Sequence, residues 1–501
     1  MRLLALIEGT EYEILRGSPE VEVCGVRYDS RQIKLGELFV CIRGFALDGH
    51  DFLPAAWAAG AVAALVERSD LPKSALEGGT VVKVADARKG LAMAACRFYD
   101  HPSRKLTLVG VTGTNGKTTT TYLIESVLRR AGHQVGLIGT IAYRFGGTEI
   151  EAVRTTPEAS DLQALLEQMV RLGADSVVME VSSHALALHR VDGCEFDMAV
   201  FTNLTQDHLD FHGTMEAYRR TKLSLFESLG AEATKRTEKA AVINLDDPAA
   251  DLFLGAARVR SYTYSLERAA DLSAIDIRIG LKGIRCRLQT PLGGTPIRST
   301  LLGRYNLSNI LAAAATGLHL GANLSEVADG ISEMGAVPGR CERVEEGQGF
   351  GVMVDYAHTP DALQRVLRMA RESCPGRLIV LFGCGGDRDR GKRSLMGEAA
   401  LRLADFTVIT SDNPRSEDPH RIIQEIEEGA KKVWGQGKGY VIICDRAMAI
   451  REALSLAQRD DMVVIAGKGH ETYQILSDRT IPFDDRQVAR EALHELGFRR
   501  G

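Results

Sequence analysis

The sequence predicts an α/β protein of three domains, spanning residues 1–103, 104–336 and 337–501. Three observations carry that expectation. A chain of 501 residues exceeds what one hydrophobic core supports, at roughly 100–200 residues per domain. From residue 106 onward, short apolar runs alternate with helix-period segments in two separate blocks, the pattern of mostly parallel sheets covered by helices on both faces. Proline-containing breaks divide the blocks: His101-Pro102-Ser103 closes the first module, and Gly335–Gly339 with Pro338 closes the second.

The first module predicts a strand over Val21–Tyr28, then Asp29-Ser30-Arg31, a strand over Leu38–Ile42 and an alanine-rich helix over Ala55–Ala64. In the central domain strands are expected at Leu106–Val111, Ser176–Val181, Met198–Phe201 and Ala241–Leu245, with helices at Thr118–Ala131, Leu162–Leu172 and Ala217–Leu229. Residues 275–302 read as short strands and turns, followed by an alanine-rich helix over Asn306–Leu320. The last domain predicts strands at Gly351–Tyr356, Leu378–Phe382, Phe406–Thr410, Val441–Cys444 and Met462–Ala466, with helices at Leu363–Arg371 and Ile422–Trp434. Such a doubly wound, Rossmann-like unit binds ligands where loops leave the carboxyl ends of its strands.

Composition narrows the function classes. The formal charge of -5, spread without long like-charge runs, argues against a nucleic-acid footprint or a polybasic membrane patch and favours small-molecule substrates. Nine cysteines without a C-x-x-C pair read as reduced thiols of a cytoplasmic protein, with no zinc site. The amino terminus meets Glu8 too soon for a secretory segment, and no apolar run reaches the ~18–20 residues of a membrane span.

The chemistry begins at Gly110-Val-Thr-Gly-Thr-Asn-Gly-Lys-Thr-Thr119, a glycine-rich turn between a strand and a helix. Gly113 and Gly116 let the backbone approach an anion, and the helix start adds its positive end. Lys117 supplies a point charge and Thr118 a hydroxyl for Mg²⁺. Five residues rather than four separate Gly110 from Gly116, so the match to G-x-x-x-x-G-K-[ST] is imperfect, yet a bland turn leaves the Lys-Thr pair unexplained. The loop points to nucleotide binding and hydrolysis.

Glu180 ends a neighbouring strand, where a carboxylate for Mg²⁺ is expected, although a strand-end glutamate taken alone is more often a surface residue. The loop from Phe201 to Gly213 holds Asp207, His208, Asp210 and His212; this density suggests a metal or substrate site, with helix capping as the structural alternative. Lys222 lies four residues after Tyr218 and four before Phe226, on a partly apolar helix stripe. Desolvated, its amine would be neutral and able to take up CO₂ as a carbamate; by sequence alone, snorkelling to water is favoured. In the last domain, loops at Asp355–Asp361, Gly383–Arg393, Asp412–Arg415 and Gly467–Glu471 each follow an apolar strand and should gather on one rim. Arg388 and Arg415 would serve as forks for carboxylates and Glu471 would receive an ammonium, a combination suited to an amino acid.

Thr112–Thr119, Glu180-Val-Ser-Ser-His184, Thr202-Asn203 to His208-Leu-Asp210, Tyr305-Asn306, Pro338-Gly-Arg340, Asp355-Tyr-Ala-His358 and Gly467-Lys-Gly-His-Glu471 together resemble the Mur ligase family, in order, from about residue 25 to residue 490. The resemblance also accounts for the loop's spacing. It implies an ATP- and Mg²⁺-dependent, ADP-forming amide ligase of peptidoglycan precursor synthesis, with a central ATPase domain between a UDP-substrate domain and an amino-acid domain. It implies nucleotide contacts by Gly113, Thr114, Asn115, Gly116, Lys117, Thr118 and Thr119, with Asn306, Arg340 and His358. It assigns Ser30, Thr155, Thr156, Ser182 and Arg190 to the UDP-muramoyl substrate, and the metals to Thr118, Glu180, His208 and Lys222, the last as a carbamate. Asp412-Asn413-Pro414-Arg415 is similar to the signature of members that add meso-2,6-diaminopimelate to UDP-N-acetylmuramoyl-L-alanyl-D-glutamate, which gives Arg388, Asp412, Asn413, Pro414, Arg415, Gly467 and Glu471 to the incoming amino acid. Lys117, Lys222 and His208 carry the implied catalysis. Position 188, a polar substrate contact in several relatives, is Leu188 here. The resemblance implies a cytoplasmic monomer; its alternatives are an L-lysine-adding ligase, a folylpolyglutamate synthetase or, more remotely, a nucleotide switch.

Overall fold

The computed structural model describes residues 1–501 other than 46, 231–234, 236, 281, 282, 434, 436, 437, 500 and 501, and omits the side chain of residue 74. The described residues form two compact units: Met1–Ser273 with Leu311–Gly330, and Ala274–Ile310 with Ile331–Gly501. No helix among the described residues is long and apolar enough to cross a membrane.

The first unit holds two sheets. A five-stranded sheet runs in the order Tyr12–Arg16, Thr80–Val84, Ala63–Val66, Leu38–Val40, Val26–Arg27, with only the first pair antiparallel. The helix Ala87–Phe98 starts at Asp86, whose carboxylate accepts the N–H groups of Arg88 and Lys89, and packs its leucine and alanine face on this sheet. The second sheet has eight strands in the order Arg260–Tyr264, Ala240–Asn244, Met198–Phe201, Thr107–Thr112, Ser176–Glu180, Val135–Ile138, Ala142–Phe145, Thr148–Glu151. Its first six strands are parallel and the last two form an antiparallel extension. Strand register places the loops. Glu180 stands opposite Val111, and Phe201 opposite Thr112, so the loops after all three strands leave the sheet side by side.

In the second unit, Ser273–Gly280, Gly283–Thr290 and Gly293–Ser299 form a three-stranded sheet. A six-stranded sheet runs Glu342–Arg343, Gly351–Asp355, Met462–Ala466, Leu378–Phe382, Phe406–Ile409, Gly439–Ile442, parallel except at its first pair. Hydrophobic clusters cover both of its faces, as a doubly wound fold requires. The fully buried Arg446–Asp485 pair, with two contacts of 2.7 Å, ties the starts of helices Arg446–Ser455 and Asp485–Glu495 together beneath the rim, and Arg446 also donates to Ser411 O and Ala466 O.

Most expected elements stand within a few residues of their predicted bounds, and several differ. The expected helix Ala55–Ala64 ends at Ala58 and Ala63 opens a strand. Gly60, at φ +104°, turns the chain, and the apolar run to Val66 enters the sheet, where tertiary pairing overrides alanine's helix preference. The expected strand Val21–Tyr28 shrinks to Val26–Arg27. The expected helix Ile422–Trp434 spans Pro419–Lys431, capped by Asp418; Trp434 lies outside the described residues.

Candidate active site

The glycine loop is shaped by contacts with its neighbours. A Cβ on Gly113, at φ +148°, would lie 1.9 Å from Thr202 Oγ1, so only glycine fits this approach. Gly116, at φ +84°, turns the chain into the helix Lys117–Arg130. The loop after Phe201 clasps the turn: Thr202 Oγ1 donates to Asn115 O at 2.7 Å, Asn203 Nδ2 donates to the same oxygen at 3.0 Å, and Asn115 N donates to Asn203 Oδ1 at 3.0 Å. Lys117 Nζ folds back on Gly113 O and Thr114 O, both at 2.9 Å, and Thr118 and Thr119 are buried in the first turn. This is a formed anion cradle at the start of a 14-residue helix.

Lys222 does not snorkel. It is 1% exposed, and its Nζ donates to Gly113 O at 2.9 Å, the same carbonyl that receives Lys117. Burial first and the charge of Lys117 second hold its pKa well below the ordinary lysine value, against an opposing pull from Asp207. The desolvation on which the carbamate expectation is conditional is present, with Lys222 1% exposed. Glu180, also buried, accepts Thr140 N at 2.8 Å and Thr140 Oγ1 at 3.1 Å on different oxygens. His208, at φ +52°, stands at the start of the short helix Leu209–His212, which has no side-chain cap hydrogen bond, and its Nε2 sits 3.3 Å from Asp207 Oδ2. Burial lowers its pKa. His184 packs edge-on to His208 at 4.8 Å between ring centroids and stacks on Phe211 at 4.3 Å. Its pKa falls to about 4 through burial and the two neighbouring imidazoles.

Four of the five residues expected at the UDP-substrate form one network. Thr156 Oγ1 donates to Glu180 O at 2.8 Å and lies 3.3 Å from Ser182 Oγ; Arg190 Nη1 donates to Thr156 O at 3.2 Å; and Thr155 Oγ1 is 3.0 Å from Thr140 Oγ1. Arg190 also pairs with Glu158 at 2.8 Å, and Glu158 reaches Arg88 of the first module at 3.4 Å. Sequence reading missed Thr140 and Glu158, which no motif marks. Ser30 opens the turn Ser30–Gln32 beside its cap Asp29 and is not part of this network among the described residues.

In the second unit the expected rim forms. A Cβ on Gly385 would lie 2.9 Å from Arg415 Nη1 and 3.8 Å from Arg388 Cγ, so both arginines flank one glycine. Arg415 adopts φ +51° and donates through Nη1 to Gly386 O at 2.8 Å. Asn413 Nδ2 donates to Glu471 Oε2 at 2.9 Å, Gln474 Nε2 to Asp412 O at 2.6 Å, and a Cβ on Gly467 would meet Asp412 Oδ2 at 2.8 Å. Pro414 abuts Gly386, where an added Cβ would strike its carbonyl oxygen at 1.9 Å. The ammonium that Glu471 receives here is that of buried Lys468, at 3.0 Å. An adjacent cluster sets Arg340 over the Tyr356 ring at 4.9 Å, with His358 and His470 rings at 4.6 and 5.1 Å from it. Arg340 Nε and His470 Nδ1 are buried without a hydrogen-bond partner among the described residues. Asn306, buried, donates to Leu302 O at 2.7 Å.

The donor set of the first unit suits a hard cation held largely by phosphate and water. Among the described residues no group of three or more His, Cys, Asp and Glu could hold a metal by itself. The Thr118 hydroxyl and the spare lone pairs of Glu180 are oxygen donors of the kind Mg²⁺ takes singly.

A diaminopimelate ligase of Caldanaerobacter subterraneus subsp. tengcongensis, named UDP-N-acetylmuramoyl-L-alanyl-D-glutamate--2,6-diaminopimelate ligase, is 47% identical to this chain over 99% of each. The chain belongs to the Mur ligase family. Models of the Mur ligase family match in three segments: the catalytic domain over residues 22–99, the middle domain over 111–317 and the glutamate ligase domain over 339–469. A second Mur ligase, from Geobacillus thermodenitrificans and bearing the same name, is 48% identical over 96% of each chain. A solved structure of a ligase with that name is 34% identical over 99% of each chain, with a TM-score of 0.71. The Mur ligase architecture of mixed parallel sheets is thus shared, and the phosphate loop, Lys222 and the Asp412–Arg415 loop lie within the matched segments.

Proposed function

We propose that this chain is an ATP-dependent amide ligase that adds meso-2,6-diaminopimelate to UDP-N-acetylmuramoyl-L-alanyl-D-glutamate, releasing ADP and phosphate. The observation that carries the reading is the Asp412–Arg415 loop, with Arg415 beside Arg388 at Gly385, in a chain whose relatives at 47% and 48% identity are named for that activity. Meso-diaminopimelate differs from lysine by a second carboxylate. A site built around Arg415 leaves that guanidinium without its anion when lysine binds, and such a site rejects the poorer analogue strongly.

The shared hydrogen-bond network of Thr155, Thr156, Ser182 and Arg190 supports their assignment to one substrate. Gly113–Thr119 cradle the ATP phosphates, and Lys117 leaves its loop carbonyls to meet them. Asn306, Arg340 and His358 contact the rest of the nucleotide. Thr155, Thr156, Ser182 and Arg190, with Ser30, hold the UDP-substrate so that its D-glutamyl side-chain carboxylate attacks the γ-phosphate and forms an acyl phosphate. The diaminopimelate amine, oriented by Arg388, Asp412–Arg415, Gly467 and Glu471, attacks the acyl carbon; the tetrahedral intermediate collapses to the amide and expels phosphate. Lys222 reacts through its neutral amine with CO₂, forming an N–C bond and losing one proton. Thr118, Glu180, His208 and carbamylated Lys222 would hold Mg²⁺, which supplies charge neutralisation to phosphoryl transfer. The reading includes domains at residues 1–103, 104–336 and 337–501, and a monomer in the cytoplasm.

Purified protein given UDP-muramoyl-dipeptide and ATP is expected to release phosphate on addition of meso-diaminopimelate and much less with L-lysine. Equal or faster release with L-lysine would overturn the specificity, and release independent of any amino acid would overturn the ligase reading.

A further inference from the structure

Tyr218 has no part in the ligase roles of the phosphate loop and Lys222, yet it touches both. It is 1% exposed, on the helix Met215–Leu229 that Thr214 caps. Its hydroxyl lies 3.1 Å from Thr114 Oγ1 in the phosphate loop. Its ring lies 4.7 Å from Lys222 Nζ, one helical turn further on, and 5.1 Å from the His212 ring.

The hydrogen-bond inventory of Thr114 fixes the direction of the first contact. A hydroxyl has one proton and two lone pairs. Thr114 Oγ1 donates to Thr205 O at 3.1 Å and accepts Thr205 N at 3.0 Å. One lone pair remains, so Tyr218 is the donor and Thr114 is saturated. One rigid side chain therefore locks the phosphate loop to the loop after Phe201 and walls the Lys222 amine from water.

We propose that Tyr218 is a positioning residue for nucleotide capture: through Thr114 it holds the phosphate loop in its binding geometry, and through its ring face it places Lys222. The inference rests on the phosphate loop binding ATP. Tyr218→Phe keeps the ring and removes the donor, and is expected to weaken ATP binding roughly three- to ten-fold while the diaminopimelate KM and kcat change less than two-fold. Tyr218→Leu, which also removes the wall, is expected to lower kcat as well. In a Thr114→Val background Tyr218→Phe should cost nothing further, because the acceptor is gone. Thr114→Ser keeps the acceptor hydroxyl and should weaken ATP binding less than Thr114→Val does, which supplies the test if a Tyr218 variant does not fold. The measurement is ATP affinity by calorimetry beside steady-state kinetics on the full chain. Unchanged ATP affinity in Tyr218→Phe, parallel changes in all three KM values, additive effects with Thr114→Val, or Thr114→Ser binding as weakly as Thr114→Val would overturn it. A parent enzyme that fails to bind ATP would instead overturn the reading beneath.

Discussion

Lys222 and Lys468 are both buried, at 1% and 0% exposure, one in each unit, and their surroundings are opposite. Lys468 Nζ faces Glu471 Oε2 at 3.0 Å, Asn413 Oδ1 at 3.1 Å and Asp412 Oδ1 at 3.8 Å, so an ammonium is matched by anions and a dipole. Lys222 Nζ meets the Gly113 carbonyl and an aromatic face, with the Lys117 amine on the same carbonyl. Equal burial of one residue type is met by two carboxylates in the first case and by a second lysine in the other. Burial lowers the Lys222 pKa first and the charge of Lys117 adds to it, whereas Lys468 has carboxylate partners at 3.0 and 3.8 Å.

The comparison breaks most sharply at Lys222. Lys222→Ala is expected to lower kcat on the order of 10³-fold, in the range seen when a group stabilising transition-state charge is removed, with partial recovery by short carboxylates such as acetate; full activity in the variant would remove the carbamate role. Lys468→Met should act on stability instead. It leaves Glu471 and Asp412 without their cation, at a cost of about 3 kcal/mol, read as a lowered Tm; restored activity on adding carboxylates would contradict the contrast. Arg415→Ala, which leaves the lysine cluster intact, is expected to raise the diaminopimelate KM roughly 10²-fold with little change in the ATP KM. Equal effects on both would remove its assigned role.

The smallest effect concerns pH and the loop that carries Lys468. Burial, then Arg340 and Arg486, lower His470 to about 4 from an ordinary 6.5. Between those values the unfolded chain binds the proton and the folded one does not, so stability rises with pH across this window and falls on acidification from 6.5 towards 4. His470→Leu should flatten that part of the stability curve, measured by denaturant unfolding at pH 7 and pH 5; an unchanged slope would show the imidazole is not held neutral.

Much of the fold is legible in the sequence. Apolar runs at Met198–Phe201, Leu378–Phe382 and Met462–Ala466 coincide with the observed strands, because strands buried on both faces leave continuous hydrophobic stretches. Gly113, Gly116 and Lys117 are legible because a phosphate cradle needs those residue types at that spacing. Lys222 is ambiguous, since helix periodicity shows a stripe and not what packs over it. Lys468 stands in its motif without a role: a Lys-Glu pair three apart ordinarily reads as surface charge, and only the fold brings Asn413 and Asp412 to it. Thr140 and Glu158 carry no local signal, for their importance arises from strands and helices distant in sequence.

The most direct test of the contrast is ¹³C NMR of the full chain equilibrated with ¹³C-bicarbonate. The account predicts a carbamate resonance in the parent and in folded Lys468→Met, absent from Lys222→Met. A parent protein with no carbamate at saturating bicarbonate, or a resonance that persists in Lys222→Met, would contradict it.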